Sequence, residues 1–222
     1  MFYEIWFKME EDINIVNTNT KFEKIKSFLV KNKKIVLVSI IAIILLIIGY
    51  FFIGEINQKK RLKLADAYNI SKINFDKENE EKTKNEMIKI IEAKDKTYSP
   101  LALYFLIDNN ISVSTDKINK FFDIIINETN NEKEVKNLII YKKALYNSDF
   151  SSENNLLEIL NPIINSESIW KSHALYLLAE YFYSKNEKQK AKEFFQSIVN
   201  LGDSNPNIKS EAQKRISRDF SE

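Results

Sequence analysis

The chain of 222 residues carries 33 lysines and arginines against 31 aspartates and glutamates, a formal net charge of +2. Three glycines and three prolines are too few for the turns of an all-β sandwich or for a glycine-rich phosphate loop. Cysteine is absent and histidine occurs once, which excludes disulfide frameworks, thiolate zinc sites, iron–sulfur clusters and cysteine nucleophiles. The composition therefore predicts an all-α protein.

The first predicted segment, residues 1–34, is rich in lysine and begins with the aromatic cluster MFYEIWFK. One interpretation is a short helix lying on a membrane surface, with its apolar side chains toward the lipid: Phe2, Tyr3, Ile5, Trp6 and Phe7. The other interpretation is that translation begins at Met9. The sequence leaves both open.

Residues 35–54, IVLVSIIAIILLIIGYFFIG, form the predicted transmembrane helix. These 20 uncharged residues would span about 30 Å as a helix, the thickness of a bilayer's hydrocarbon core. Apolar side chains surround the helix on all sides, which is not the pattern of an amphipathic helix in a soluble protein. A cleaved signal peptide fits poorly because the apolar stretch is too long and lies too far from the N-terminus.

Basic residues on either side of this span predict its orientation. Six lysines between residues 21 and 34 precede it, and four basic residues follow it: Lys59, Lys60, Arg61 and Lys63. The positive-inside rule therefore predicts that residues 1–34 lie in the cytoplasm and residues 55–222 across the membrane, in the periplasm if the cell is bacterial. After residue 34, 26 basic and 26 acidic residues remain, so this part is neutral overall and lacks the basic surface of a nucleic-acid-binding protein.

From Glu55 onward, apolar residues recur at helical spacing, and the helices are predicted to form pairs. The clearest pair covers 173–206, and its two apolar stripes are Leu175, Leu178, Ala179 and Phe182, then Ala191, Phe195 and Ile198. Alanines in both stripes allow the two helices to approach closely, and phenylalanines fill the space beside them. This is the pattern of a tetratricopeptide repeat (TPR), although Leu175 and Asp203 replace its usual Trp and Pro.

Weaker pairs precede this unit. Their predicted core positions are Leu62, Ala65, Tyr68 and Ile73 with Met87, Ile88 and Ile91; Tyr98, Ala102, Phe105 and Leu106 with Ile118, Phe121, Phe122 and Ile125; and Leu138, Tyr141, Ala144 and Leu145 with Leu156, Leu157, Ile159, Leu160 and Ile163. Ser99 and Pro100 are predicted to begin one helix. A stack of this kind needs a terminal cap, which Ile208, Ala212, Ile216 and Phe220 are predicted to supply.

The order of these parts resembles the YfgM-like ancillary Sec translocon subunit family. The resemblance rests on the lysine-rich start, the single apolar span, the Tyr98-x-x-x-Ala102 helix and the segment IWKSHALYLLAEYFYSKNEKQKAKEFFQSIV followed by SNPNIKSEAQKRI. It implies a single-pass inner-membrane protein with a periplasmic TPR-like domain, associated with Sec translocon channel subunits and periplasmic chaperones. The sequence MEEDINIV from Met9 resembles the family's acidic start.

No recognisable combination of nucleophile, base and orienting group occurs, so we expect a protein without catalytic, cofactor or metal sites. The expected function is protein binding, as a membrane-anchored TPR-like module that links the Sec translocon to periplasmic chaperones. The alternative is an envelope scaffold for cell-division or outer-membrane assembly factors.

The TPR register predicts the partner-binding residues. With Ala191 and Phe195 as fixed positions, the open inner face of the last pair presents His173, Tyr176, Glu180 and Tyr183. Tyrosine is favoured at binding hot spots, so a partner segment is predicted to lie across Tyr176 and Tyr183. The alternative is that both tyrosines pack against a neighbouring helix of the same chain.

The predicted topology can be checked with a protease. Protease added outside spheroplasts should digest residues 55–222 and leave the N-terminal segment intact, because only the former is predicted to face the periplasm. Immunoblots against a tag at each end would measure this. Protection of the C-terminal part until the cells are lysed would reverse the predicted orientation.

Overall fold

The computed structural model describes residues 22–220, so both interpretations of the first eight residues lie outside the described part of the chain. The chain divides into two compact units, 1–60 and 61–222, which are treated separately below. Every regular element within residues 22–220 is helical, which confirms the all-α class. Residues 22–31 form a short helix ahead of the first long one.

Helix α1, Lys33–Ile73, contains the predicted apolar span. Its most apolar window has a mean hydropathy of 3.1, and none of that window is buried. Leu46 and Phe51, for example, are 74% and 70% exposed. By length and composition, it is the one helix within residues 22–220 that is suited to cross a membrane.

Eight further helices follow, joined by connections of three to six residues. They are α2 (Glu80–Glu92), α3 (Tyr98–Asp108), α4 (Thr115–Glu128), α5 (Lys133–Asn147), α6 (Glu153–Ile164), α7 (Lys171–Ser184), α8 (Lys188–Asn200) and α9 (Pro206–Asp219). Connections this short make packed neighbours antiparallel. The closest packing is between α7 and α8, α2 and α3, α8 and α9, and α5 and α6.

The pairing around α3 differs from the sequence prediction, which paired α3 with α4 and paired α2 with the preceding helical segment. Instead, α3 packs more extensively on α2 than on α4. The buried Ser99 hydroxyl donates to the Ile90 carbonyl at 2.8 Å, and Ala102 is fully buried. Small side chains on α3 therefore allow it to approach α2 closely.

The start of α3 also differs from the prediction. The helix begins at Tyr98 with Thr97 as its N-cap, so Ser99 and Pro100 lie inside the first turn. The Asp95 carboxylate accepts hydrogen bonds from the backbone N–H groups of Thr97 and Tyr98, both at 2.8 Å, and so caps the helix. At the start of α9, the Asn205 side chain accepts hydrogen bonds from the N–H groups of Asn207 and Ile208, and Pro206 occupies the first turn.

Most predicted stripe residues form one buried core. The fully buried phenylalanines Phe122, Phe182 and Phe195 lie within it. Three predicted core residues are instead exposed: Leu62 at 57%, Ile73 at 81% and Leu145 at 44%. Ile73 is the last residue of α1.

The contribution of burial can be tested on two phenylalanines that contact the same ring. Phe122 and Phe150 lie 6.0 Å and 5.5 Å from the Tyr146 ring centroid, but Phe122 is 1% exposed and Phe150 is 54% exposed. Phe122→Ala should lower the free energy of unfolding by about 3–5 kcal/mol, because it leaves a cavity. Phe150→Ala should cost about 1 kcal/mol or less.

Urea unfolding of the detergent-solubilised chain, followed by circular dichroism, measures both values. Equal losses for the two variants would contradict the assignment of Phe122 to the core.

Candidate protein-binding surface

The four predicted partner-binding residues lie on α7, but the structure places them in two clusters. Tyr176, Glu180 and Tyr183 contact residues of α8 and α9 or the residue that follows α9. His173 instead contacts Tyr141 and Trp170, which lie outside α8 and α9. All four side chains are half-buried.

Arg215 of α9 organises the first cluster. Its Nε lies 2.9 Å from Glu180 Oε1, and its Nη2 donates to Glu180 Oε2 at 3.1 Å. Its Nη1 lies 2.9 Å from Asp219 Oδ2, and its guanidinium carbon lies 4.5 Å from the Tyr183 ring centroid. The Arg215 side chain is 12% exposed, so two carboxylates and an aromatic face compensate a largely buried positive charge.

Aromatic contacts complete this cluster. Tyr176 packs edge-on against Phe195 at 5.5 Å, and Tyr183 packs edge-on against Phe220 at 5.8 Å. Burial, together with the negative charge of Glu180, raises the pKa of Tyr176 to about 12, so its hydroxyl stays protonated at neutral pH. The described contacts of Tyr176 and Tyr183 are thus within the chain, and a partner segment lying across them stays a prediction.

His173 belongs to an aromatic cluster between α5 and α7. Its ring centroid lies 5.1 Å from that of Trp170 and 6.0 Å from that of Tyr141. Tyr141 and Trp170 stack at 5.9 Å. Burial lowers the pKa of His173, while the Ile169 carbonyl acts in the opposite direction. A neutral imidazole packed among rings is suited to a structural contact.

A surface that sequence reasoning missed lies between α3 and α5. We call it the α3–α5 groove, a cleft of about 400 Å³ whose apolar wall consists of Pro100, Leu101, Tyr104, Val135, Leu138 and Ile139. Leu101 and Val135 are 39% and 42% exposed. The sequence feature that could have revealed the groove is an apolar pair at i, i+3 spacing on each helix: Leu101 with Tyr104, and Val135 with Leu138. The groove was missed because three of these four residues lie outside the predicted stripes.

Tyr104 gives the α3–α5 groove a polar group. Its hydroxyl is buried and has no hydrogen-bond partner among the described residues. Burial raises the pKa of Tyr104 to about 12. The Lys142 ammonium lies 5.9 Å from the Tyr104 ring centroid, on the same side of α5 as Leu138 and Val135. The exposed apolar wall, rather than the buried hydroxyl, is the feature suited to binding a polypeptide segment.

A larger cavity of about 640 Å³ lies beside α2 and includes Asp76, Asn79 and Glu86. Asp76 accepts from the Asn79 backbone N–H at 2.7 Å and from the Asn79 side chain at 3.1 Å, so its carboxylate supports the start of α2. Within residues 22–220, no group of three or more metal-binding side chains is positioned to hold a metal ion.

No protein-family model, curated protein or solved structure matches this chain. Functional inference therefore depends on the geometry of the described residues and on the sequence pattern.

The role of Arg215 can be tested against its neighbour on the same helix. Arg215→Met keeps much of the hydrocarbon but leaves Glu180 without its cation, and should lower the free energy of unfolding by about 1–2 kcal/mol, since Glu180 is partly exposed to solvent. Lys214→Met removes an ion pair to Glu211 whose side chains are 70% and 43% exposed, and should change stability by less than about 0.5 kcal/mol.

Urea unfolding measures both values. An Arg215→Met variant as stable as Lys214→Met would show that the Arg215 cluster does not hold α9 in place.

Proposed function

We propose that this chain is a membrane-anchored, TPR-like protein-interaction module that serves the Sec translocon and links protein export to periplasmic chaperones. In this proposal residues 35–54 span the inner membrane, with residues 1–34 in the cytoplasm and 55–222 in the periplasm. The observation that carries the binding role is the α3–α5 groove, a cleft whose apolar wall includes the exposed residues Leu101 and Val135.

The exposed surface of α1 supports the membrane anchor. Moving a large apolar side chain out of water is worth about 1.5–3 kcal/mol, and the apolar window of α1 buries none of its residues within the chain. A bilayer would remove that whole surface from water. The uncharged stretch has the length required for the hydrocarbon core.

The groove and the charge balance support a polypeptide ligand. Leu101 on α3 and Val135 on α5 line the groove and are 39% and 42% exposed. Apolar side chains of a bound segment would cover both. The neutral charge after residue 34 favours a protein over a nucleic acid.

The choice of the Sec translocon as partner rests on the resemblance described above. The order of lysine-rich segment, apolar span and paired helices supports it, together with the final segment from Ile169 onward. An envelope scaffold for cell-division or outer-membrane assembly factors would use the same anchor and groove. The two functions therefore differ in the identity of the bound protein.

Site-specific crosslinking distinguishes them. A photo-reactive amino acid replacing Leu101 or Val135 in the full chain should crosslink, in living cells, to Sec channel subunits or periplasmic chaperones, because these residues line the groove. Mass spectrometry identifies the products. The control is Gln213, an exposed residue of α9 away from the groove, which should give no such product.

Crosslinks from Leu101 to cell-division or outer-membrane assembly proteins would support the scaffold function instead. If Leu101 and Gln213 gave the same crosslinked products, the groove would not be the binding surface.

A further inference from the structure

We infer that residues 22–34 lie along the bilayer surface at the start of the membrane span and bind anionic phospholipids. This inference deepens the proposed function and rests on it, because the span must cross a bilayer for this segment to reach one. It accounts for two features that the span alone does not explain: an apolar face on the short helix before it, and the lysines that surround that face.

Apolar side chains share one face of the helix formed by residues 22–31. Phe22, Ile25 and Leu29 recur there at helical spacing, and Phe28 lies beside them. Their exposed fractions run from 44% for Leu29 to 74% for Phe22. Every residue of this helix is exposed, so the described part of the chain does not cover the apolar face.

The opposite face of this helix is basic. Lys24, Ser27 and Lys31 recur along it at the same spacing, and the Ser27 hydroxyl donates to the Lys24 carbonyl at 2.9 Å. Residues 22–34 contain five lysines and one glutamate, a net charge of +4, whereas the rest of the chain after them is neutral overall. None of these five lysines forms an ion pair with a carboxylate within residues 22–220.

The bilayer is the apolar phase nearest to this helix. Residues 32–34 alone separate it from the apolar span that begins at Ile35, which is at most about 15 Å of extended chain. Asn32 marks the turn between the two helices, and its backbone N–H and its side-chain amide both donate to the Phe28 carbonyl, at 2.9 Å and 3.0 Å. The turn gives the chain a place to change direction, from the bilayer surface into the span.

The combination of faces selects an anionic lipid as the ligand. An amphipathic helix with lysines on its polar face is typical of a helix in the lipid interface, with its apolar side chains among the acyl chains. Clusters of about four to eight basic residues next to a membrane span bind anionic headgroups. Phosphatidylglycerol would supply the negative charges that these lysines lack, whereas a zwitterionic lipid carries no net charge to neutralise them.

Fluorescent labels on the full chain, reconstituted in vesicles of phosphatidylcholine and phosphatidylglycerol, test the position of the helix. The chain has no cysteine, so single cysteines can be introduced and labelled. A label at Ile25→Cys should be quenched by spin-labelled lipid, whereas a label at Ser27→Cys, on the basic face, should be quenched by iodide in the water. Ile25 lies ten residues before Ile35, about 15 Å along a helix, so a helix that projected straight out of the bilayer would place both labels in water. A label at Leu46→Cys, within the span, reports on the membrane anchor itself.

Charge reversal tests the preference for anionic lipid. Spin-labelled phosphatidylglycerol should quench the Ile25 label at about fivefold lower concentration than spin-labelled phosphatidylcholine, the ratio that about one lysine provides at an anionic surface. Lys24→Glu with Lys31→Glu leaves residues 22–34 without net charge and should abolish this preference. The matched control, Lys60→Glu with Lys63→Glu, makes the same change in charge at the other end of the span and should keep it.

An Ile25 label that iodide quenches would overturn the inference, and so would one shielded from both iodide and lipid, which would show that protein covers this face. Equal quenching by the two lipids, or loss of the preference in the control, would also overturn it. If lipid still quenches the Leu46 label in these cases, the membrane anchor of the proposed function stands and the inference alone is wrong. If lipid does not quench the Leu46 label, the anchor itself is wrong and the inference fails with it.

Discussion

Close approach of helices at small residues is the constraint on which the domain depends. Six alanines are fully buried: Ala102, Ala144, Ala174, Ala179, Ala191 and Ala212. With no cysteine and few prolines, the chain has neither disulfide bonds nor many rigid turns to hold its helices together. Its stability must come from dense side-chain packing, in which phenylalanines fill the space that each alanine contact leaves beside it. A larger residue at such a contact would separate the two helices.

The helices and most of their buried faces could be predicted from the sequence, because apolar residues recur at helical spacing. Ala191, Phe195 and Ile198 illustrate this, since all three are fully buried. The neighbours of each helix could not be predicted in the same way. The closer packing of α3 on α2 depends on the Ser99 hydroxyl reaching the Ile90 carbonyl, a contact between residues nine apart that no periodicity encodes.

At the candidate site, too, positions along a helix could be predicted from the sequence, whereas contacts between helices could not. The repeat register assigned four residues to one face of α7, but it could not indicate which other segments contact them, and the structure divides them between two clusters. Arg215 comes 35 residues after Glu180, and the ion pair between them adds to the apolar contacts that α9 makes through Ala212 and Ile216. The α3–α5 groove was missed for the opposite reason. It is a surface where two helices leave space between them, and the spacing of residues along one helix does not report the distance to another.

The partly buried tyrosines and histidine have a consequence for proton binding by the whole domain. Tyr104 and Tyr176 have raised pKa values and His173 has a lowered one, so each holds its neutral form more firmly in the folded chain than in the unfolded one. Below about pH 6.5 the unfolded chain takes up a proton on histidine more readily, and above about pH 10 it releases protons from tyrosine more readily. Their stabilising contribution is therefore complete between these limits, and within that interval these three groups add no pH dependence to the stability of the domain.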